Sequence, residues 1–291
     1  VLCAALASMM ALSMTACSSG STATTAAETK ASEAETTTEA ASSEAEETTA
    51  AAAGTEGGTL IVGFDQDFPP MGFLGDNNEY TGFDLELAQE VAKRLGLEYQ
   101  AQPIAWDAKD MELESGNIDC IWNGFTMNGR EDDYTWSTPY MDNSQVFVVA
   151  ADSGISTLAD LAGKVVEVQT DSSAEAALKD NAELSATFGT LQTTPDYNTA
   201  FMDLEQGAVD AVAIDIGVAQ YQIAQREAGK FVMLQGEDNK LAVEQYAVGF
   251  LKGNDELRNT VQKTLDEMAA DGTFTQIAEK WGLTDSVCLG K

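Results

Sequence analysis

The chain contains no histidine. That absence removes Ser-His-Asp and Cys-His catalysis, His-ligated zinc and haem, and the commonest general base near neutral pH. Cysteine is scarce, with four in 291 residues and none in a C-x-x-C pair, so no structural zinc site is expected. Cys3 and Cys17 fall at the apolar N-terminus. Cys120 lies inside an apolar run and reads as a small buried hydrophobe. A Cys120–Cys288 disulfide has no sequence feature in its favour and stays open. Cations are scarce too: 15 Lys and Arg stand against 48 Asp and Glu, a formal charge of −33. A phosphate backbone needs cations, so nucleic acid is excluded as a partner. Residues 1–57 contribute −7 and the rest −26, which reads as solubility and low non-specific adhesion. No apolar run is long enough to cross a bilayer.

What is present is a segment written twice. Met111-Glu-Leu-Glu-Ser-Gly-Asn-Ile-Asp-Cys-Ile-Trp-Asn123 recurs as Met202-Asp-Leu-Glu-Gln-Gly-Ala-Val-Asp-Ala-Val-Ala-Ile214. Met, Leu, Glu, Gly and Asp keep their register. Each copy reads as a helix end, a Gly stop and an apolar strand. Two copies imply two similar lobes, with a cleft between them. The first copy runs on into Gly124-Phe-Thr126 and Arg130, and the second ends in Asp215. The length leaves room for two substantial cores.

Residues 1–16 are almost wholly apolar and read as a secretory signal peptide. Met14-Thr-Ala-Cys17 follows and resembles the lipobox of bacterial lipoproteins, where the peptide is cut before the Cys and the Cys then carries lipid. An ordinary signal peptide with an incidental Cys is the alternative. With neither an initiator Met nor a basic n-region, the natural chain is expected to begin before Val1. Residues 17–57 after that Cys are dominated by Ser, Thr, Ala, Glu and Gly without periodicity, and are expected to form a disordered tether. A coil of about 40 residues reaches roughly 30–40 Å. The expected location is extracytoplasmic, lipid-anchored through Cys17 to the outer face of the cell membrane.

Downstream, Thr59–Phe64 reads as a buried strand and Asp65–Pro70 as the turn after it. Asp84 is placed to cap a helix over 85–95, which Gly96 ends. Ser156 is expected to cap a short helix through Leu161. Val165–Val168 is a strand, and Ser172-Ser-Ala-Glu175 has the spacing of a capping box. Asn198–Gln206 is helical and Val209–Ile214 extended. Leu257–Met268 and Phe274–Lys280 read as closing helices. This alternation is α/β with mostly parallel sheets. Val146–Ala150 and Tyr246–Phe250 are the candidate strands crossing between lobes. They divide the folded chain into lobe 1 (58–147 and 247–291) and lobe 2 (148–246).

In open α/β sheets, ligands bind beyond the carboxyl ends of strands. Those positions hold Asp65 to Phe68, Asn123 to Thr126, Gln169 to Ser173, and Asp215. Arg130 is one of few cations near them, and a planar guanidinium suits a carboxylate. Ser172 and Ser173 open a helix, whose free N–H groups favour an anion. Asn123, Gly124 and Thr126 add uncharged donors and acceptors. Asp215 wants a cation. An anion site facing a cation site fits the head group of an α-amino acid. Phe68, Trp106 and Trp122 are candidate apolar walls. The bland alternatives are surface pairing of Arg130 with Glu131, Asp132 and Asp133, capping by Asp215, Ser172 and Ser173, and core packing by either Trp.

At these residues the chain resembles the bacterial extracellular solute-binding proteins of the polar amino-acid type, which serve ABC importers. The resemblance covers roughly residues 58–285. It is carried by Val62-Gly-Phe-Asp-Gln-Asp-Phe-Pro-Pro70, Gly82-Phe-Asp-Leu-Glu-Leu-Ala88, Gly116-Asn-Ile-Asp119, Gly124-Phe-Thr126 with Arg130, Thr138-Pro-Tyr140, Val168-Gln-Thr-Asp-Ser-Ser173, Val209-Asp-Ala-Val-Ala-Ile-Asp215 and Asp271-Gly-Thr273. It implies a two-lobed periplasmic-binding-protein-like fold of type II, with a ligand cleft between lobes joined by two hinge strands. It also implies a monomer without cofactor or metal, and permease subunits as partners. Arg130, Thr126 and the Gly124 backbone would clamp the α-carboxylate, with Ser173 from the other lobe. Asp215 would bind the ammonium, Phe68 and Trp106 would sandwich the side chain, and Asp65 and Gln169 would line its far end. The family usually has one more residue between the Thr and the Arg, and a smaller residue at Trp122. Two rivals share the scaffold. One is a dehydratase-type enzyme, whose proton donor would come from Asp65, Asp67 or Glu167. The other is the ligand-sensing subunit of a signalling receptor.

Overall fold

The computed structural model of the protein describes residues 58–291, so the expected signal peptide (1–16), Cys17 and the tether lie outside the described residues. β1 (Thr59–Phe64) buries Leu60, Val62 and Phe64. A small antiparallel sheet follows, made of β2 (Asp67–Phe68), β3 (Gly72–Leu74) and β4 (Tyr80–Thr81). α1 (Phe83–Leu95) packs Leu87, Ala88 and Val91 inward and stops at Gly96, whose φ of 69° needs a residue without a Cβ. Next come β5 (Glu98–Pro103), α2 (Lys109–Glu114), β6 (Cys120–Ile121) and β7 (Thr135–Trp136). β8 (Met141–Ala150) carries the chain to the second sheet. There it forms β9 (Val165–Gln169), α3 (Ser173–Asp180), α4 (Ala182–Ser185), β10 (Thr190–Thr194), α5 (Tyr197–Gln206), β11 (Ala211–Asp215), α6 (Ile216–Ala224) and β12 (Phe231–Met233). β13 (Ala242–Tyr246) returns alongside β8, and β14 (Gly249–Phe250), α7 (Asp255–Asp271) and α8 (Thr273–Trp281) close the first lobe.

The first sheet has the order β5-β1-β6-β14-β7, the second β10-β9-β11-β8-β12, with β13 also on β8. In each, three parallel strands come first, and the next strand runs antiparallel: β14 on β6, β8 on β11. The two lobes therefore repeat one topology, and the duplicated segment occupies the same place in both. Gly116 and Gly207 end α2 and α5 at φ 74° and 70°. Asp119 Oδ2 accepts from the Ile61 N–H at 2.7 Å, and Asp210 Oδ2 from the Val165 N–H at 2.8 Å. Leu113 and Leu204 are buried, whereas Met111 and Met202 face solvent.

Several local expectations change. Asp84 caps nothing. Helix α1 begins at Phe83, two residues before the expected start, and Asp84 turns inward to accept from the Gly124 N–H and the Tyr140 hydroxyl. Thr157, not Ser156, caps the short 3-10 turn over Leu158–Leu161, in a reciprocal pair with Asp160. Ser172 caps α3, but Glu175 reaches back to the Asp171 N–H rather than to that of Ser172. The strands run between the lobes at 141–145 and 242–246, where β8 and β13 pair. The apolar run Val146–Ala150 already belongs to the second sheet, against β11. Polar residues buried on both faces had hidden the extended conformation of Asp142–Gln145. Trp122 is fully buried in the core beside Tyr140 and lines no cavity with the candidate site residues. Cys120 and Cys288 are both free thiols. No helix of the described residues is long and apolar enough to cross a membrane.

Candidate functional site

The carboxyl ends of β1, β6, β9 and β11 converge where the lobes meet. A narrow cavity lies there, with about 10 Å³ of free space, room for roughly one water between the closed lobes. Phe68, Trp106, Asn123, Gly124, Thr126 and Arg130 line it from the first lobe, Gln169, Ser172, Ser173 and Asp215 from the second. Asp65 stands just behind this lining. Its Oδ2 accepts from Gln169 Nε2 at 2.6 Å, closing the far end, and it borders a separate outer hollow with Asp67, Asp107 and Asp196. Burial pushes the Asp65 carboxyl up to about 6, against the hydrogen bonds from the Asp67 N–H and Gln169.

Arg130 is held by its surroundings rather than by an acid. Its carbonyl accepts from Trp136 Nε1 at 3.0 Å, and its guanidinium lies 5.4 Å from the Phe125 ring centroid. That guanidinium donates to the carbonyls of Thr126 and Asp171, both at 3.3 Å. Among the described residues no carboxylate pairs with it, so Glu131, Asp132 and Asp133 do not neutralise it. Ser172 and Ser173 sit at the start of α3, whose first N–H groups have no helical acceptor. Phe125 also supports Trp106 in an edge-to-face contact at 5.5 Å. Asn123 Oδ1 accepts from the Asp65 N–H, while its buried Nδ2 has no partner among the described residues.

Asp215 is 3% exposed and ends β11. Asn143 Nδ2, Gln145 Nε2 and the Tyr246 hydroxyl all donate to its Oδ1, at 2.6, 2.8 and 2.7 Å. No protein donor among the described residues reaches Oδ2. Asp215 does not cap α6. Burial first, then the nearby Glu244 charge, raises its carboxyl to about 7.

The lobes also touch around the cavity. Lys109, buried and 5.4 Å from the Trp106 ring centroid, pairs with Asp171. Asn198 Nδ2 donates to Asp67 Oδ1 at 2.6 Å.

This geometry sits in a recognisable lineage. The description "bacterial extracellular solute-binding proteins, family 3" matches residues 60–284. The chain belongs to this family. It is 34% identical over 229 residues to the L-cystine-binding protein TcyJ of Escherichia coli (strain K12), covering 78% of this chain and 83% of the relative. It is 32% identical over 237 residues to the arginine-binding extracellular protein ArtP of Bacillus subtilis (strain 168), covering 79% and 89%. A solved ABC uptake transporter substrate-binding protein from Streptococcus pneumoniae with bound histidine superposes with a TM-score of 0.73 at 34% identity, covering 77% of this chain and 92% of that one.

In this solute-binding protein, sequence reasoning missed the layer behind the cavity. Asn143, Gln145, Glu244 and Tyr246 come from the crossing strands, with Gln145 in register opposite Asp215 and Asn143 opposite Glu244. The available signal was the polar run Asp142–Gln145 directly before an apolar strand. Asp84 has the sequence position of a helix cap, Asp171 falls within the run Gln169 to Ser173 without a role of its own, and Lys109 gives no signal beyond its charge.

Proposed function

We propose that the protein captures one amino acid in the interlobe cavity and, closed around it, delivers it to the permease of an ABC importer. One observation carries this reading. Among the described residues, a guanidinium without a carboxylate and a carboxylate oxygen without a donor face one small cavity from opposite lobes. An α-amino acid head group satisfies both. Its carboxylate meets Arg130 and the N-terminus of α3, its ammonium meets Asp215 Oδ2, and Phe68 and Trp106 flank its side chain. Because each lobe supplies one charge site, the ligand gains most when the lobes are together, which shifts the population toward the closed form. The far end is acidic, with Asp65 backed by Asp67 and Asp196. It favours side chains ending in a cationic or zwitterionic group, as in arginine or cystine, the ligands named in the relatives above. Lipid on Cys17 and a tether over residues 17–57 hold this monomer at the outer face of the membrane. Of the acids a dehydratase would need, Asp67 and Glu167 lie off the cavity, and Asp65, behind its far end, already accepts from Gln169 and from the Asp67 N–H, which supports binding without turnover.

A thermal-shift panel of the twenty amino acids plus cystine tests the reading. A ligand at 100 times its Kd adds about 2.7 kcal/mol of stability, and the bound molecule is recovered unchanged. No shift with any member, or a chemically altered ligand, overturns it.

A further inference from the structure

We infer that Glu244, on β13 behind the cavity, is a positioning residue that takes the hydroxyl protons of Thr126 and Ser173 and so aims their oxygens, with Asp215, at the ligand's ammonium. The inference rests on the amino-acid reading above and changes the role expected of both hydroxyls, which the sequence resemblance assigned to the carboxylate.

Glu244 is 5% exposed. Its Oε1 accepts from Thr126 Oγ1 at 2.7 Å, Ser173 Oγ at 3.2 Å, Asn143 Nδ2 at 2.7 Å and Gln145 Nε2 at 2.7 Å. One carboxylate oxygen thus gathers donors from both lobes and from β8. A hydroxyl has a single proton, and a carboxylate can only accept. Each hydroxyl bonded to the Glu244 carboxylate is therefore its donor and turns lone pairs elsewhere. Ser173 Oγ also lies 2.9 Å from Gln145 Nε2, whose two protons are shared among Ser173, Asp215 and Glu244, and 3.3 Å from Thr126 Oγ1, a longer contact than the 2.7 Å bond by which Thr126 reaches Glu244. Thr126 and Ser173 line the cavity, whereas Glu244 does not. Thr126 Oγ1, Ser173 Oγ and Asp215 Oδ2 then give three acceptors, matching the three N–H bonds of an ammonium. The proton-poor oxygens are poor partners for a carboxylate, which is left to Arg130 and backbone N–H groups.

A pH profile separates this role from mere packing. The ammonium needs an ionised Asp215, which takes up a proton as pH falls through about 7. Wild-type affinity is expected to be flat above pH 7 and to fall about tenfold per unit below it. Glu244 helps to hold the Asp215 carboxyl up, so Glu244→Gln moves that acid limb to lower pH. The other groups facing the pair are Tyr246 on β13, Tyr197 on α5 and Arg130 across the cavity.

The experiment is calorimetry from pH 5 to 8.5 on wild type, Glu244→Gln, Thr126→Val and Ser173→Ala. The probes are L-arginine and L-cystine, or the amino acid ranked tightest in the panel if it is neither, each beside its des-amino analogue. At pH 8 each variant is expected to bind the amino acid about tenfold or more weakly and the des-amino analogue unchanged, with the acid limb displaced in Glu244→Gln. Equal losses for both ligands, or an acid limb that stays in place, overturn the inference while leaving amino-acid capture intact. If circular dichroism shows Glu244→Gln unfolded, the two hydroxyl variants decide by the same ligand comparison. Wild-type binding to no amino acid of the panel overturns the parent reading and the inference together.

Discussion

Gly124 and Asp215 occupy equivalent positions one residue beyond the duplicated segment, yet they share nothing. Up to that point the lobes agree: the same Gly stop, the same buried Leu, the same Asp anchoring the neighbouring strand. There the backbones part. Gly124 takes φ 57°, and its N–H is drawn inward to Asp84 Oδ2 at 2.5 Å. Asp215 stays at φ −61° and turns its carboxylate toward the cavity. In lobe 1 the carboxylate lies below the loop as scaffold, and burial raises Asp84 to about 7. In lobe 2 it lies at the surface of the site. The duplicated frame is fixed by packing, which tolerates little change. The copies diverge where the strands leave the core, and in the function proposed above one frame supplies the anion site and its twin the cation site.

The largest expected effect breaks this division directly. Arg130→Ala and Asp215→Ala should each cost about 2–5 kcal/mol of affinity for the cognate amino acid, because each leaves a desolvated ligand charge unpaired. The losses should also be complementary. Arg130→Ala is expected to stop distinguishing the amino acid from its decarboxylated analogue, and Asp215→Ala from its des-amino analogue. Calorimetry of both variants against the three ligands measures this. The same lost preference in both would mean that the lobes do not divide the head group.

A smaller effect sharpens the backbone contrast. A Cβ on Gly124 would lie 2.8 Å from Phe68 Cε1 and 3.1 Å from both Met71 Cγ and Tyr246 Cε2, at a φ that L side chains rarely adopt. Gly124→Ala should cost about 1–3 kcal/mol of stability. It should also weaken binding, since Phe68 lines the cavity. Urea denaturation and calorimetry together test it, and a variant of wild-type stability and affinity would show that the loop has room to spare.

The fold was legible because its signals are periodic and repeated. The Gly stops, the apolar strands and the twin segments each follow from local chemistry, and the repeat supplied the two lobes. That the candidate residues at the strand ends would meet around one cavity followed from the same topology. The layer behind them was not. Glu244, Asn143 and Gln145 reach the site through antiparallel pairing between strands about 100 positions apart, and no local pattern encodes such a pairing. Asp84 was misread for a related reason. Its position one residue after Gly82-Phe83 suits a cap, and only the tertiary contact with Gly124 and Tyr140 shows why it is buried.

The smallest effect tests the shared frame itself. Asp119 and Asp210 each bond a strand N–H that the neighbouring strand starts too late to satisfy, Ile61 on β1 and Val165 on β9. Losing either carboxylate leaves a partly buried donor without its acceptor, a loss of about 1 kcal/mol. Asp210 also lies 3.5 Å from Lys164, but both partners of that pair are over a third exposed, so solvent screens it to a few tenths of a kcal/mol. Asp119→Ala and Asp210→Ala should therefore destabilise alike, within about 0.5 kcal/mol, and Asn at either position should recover most of the loss because its carbonyl still accepts. Neither residue lines the cavity, so affinity should hold in both. Paired urea titrations read the result. A loss several-fold larger in one lobe would mean that the copies share a sequence pattern without sharing its energetics.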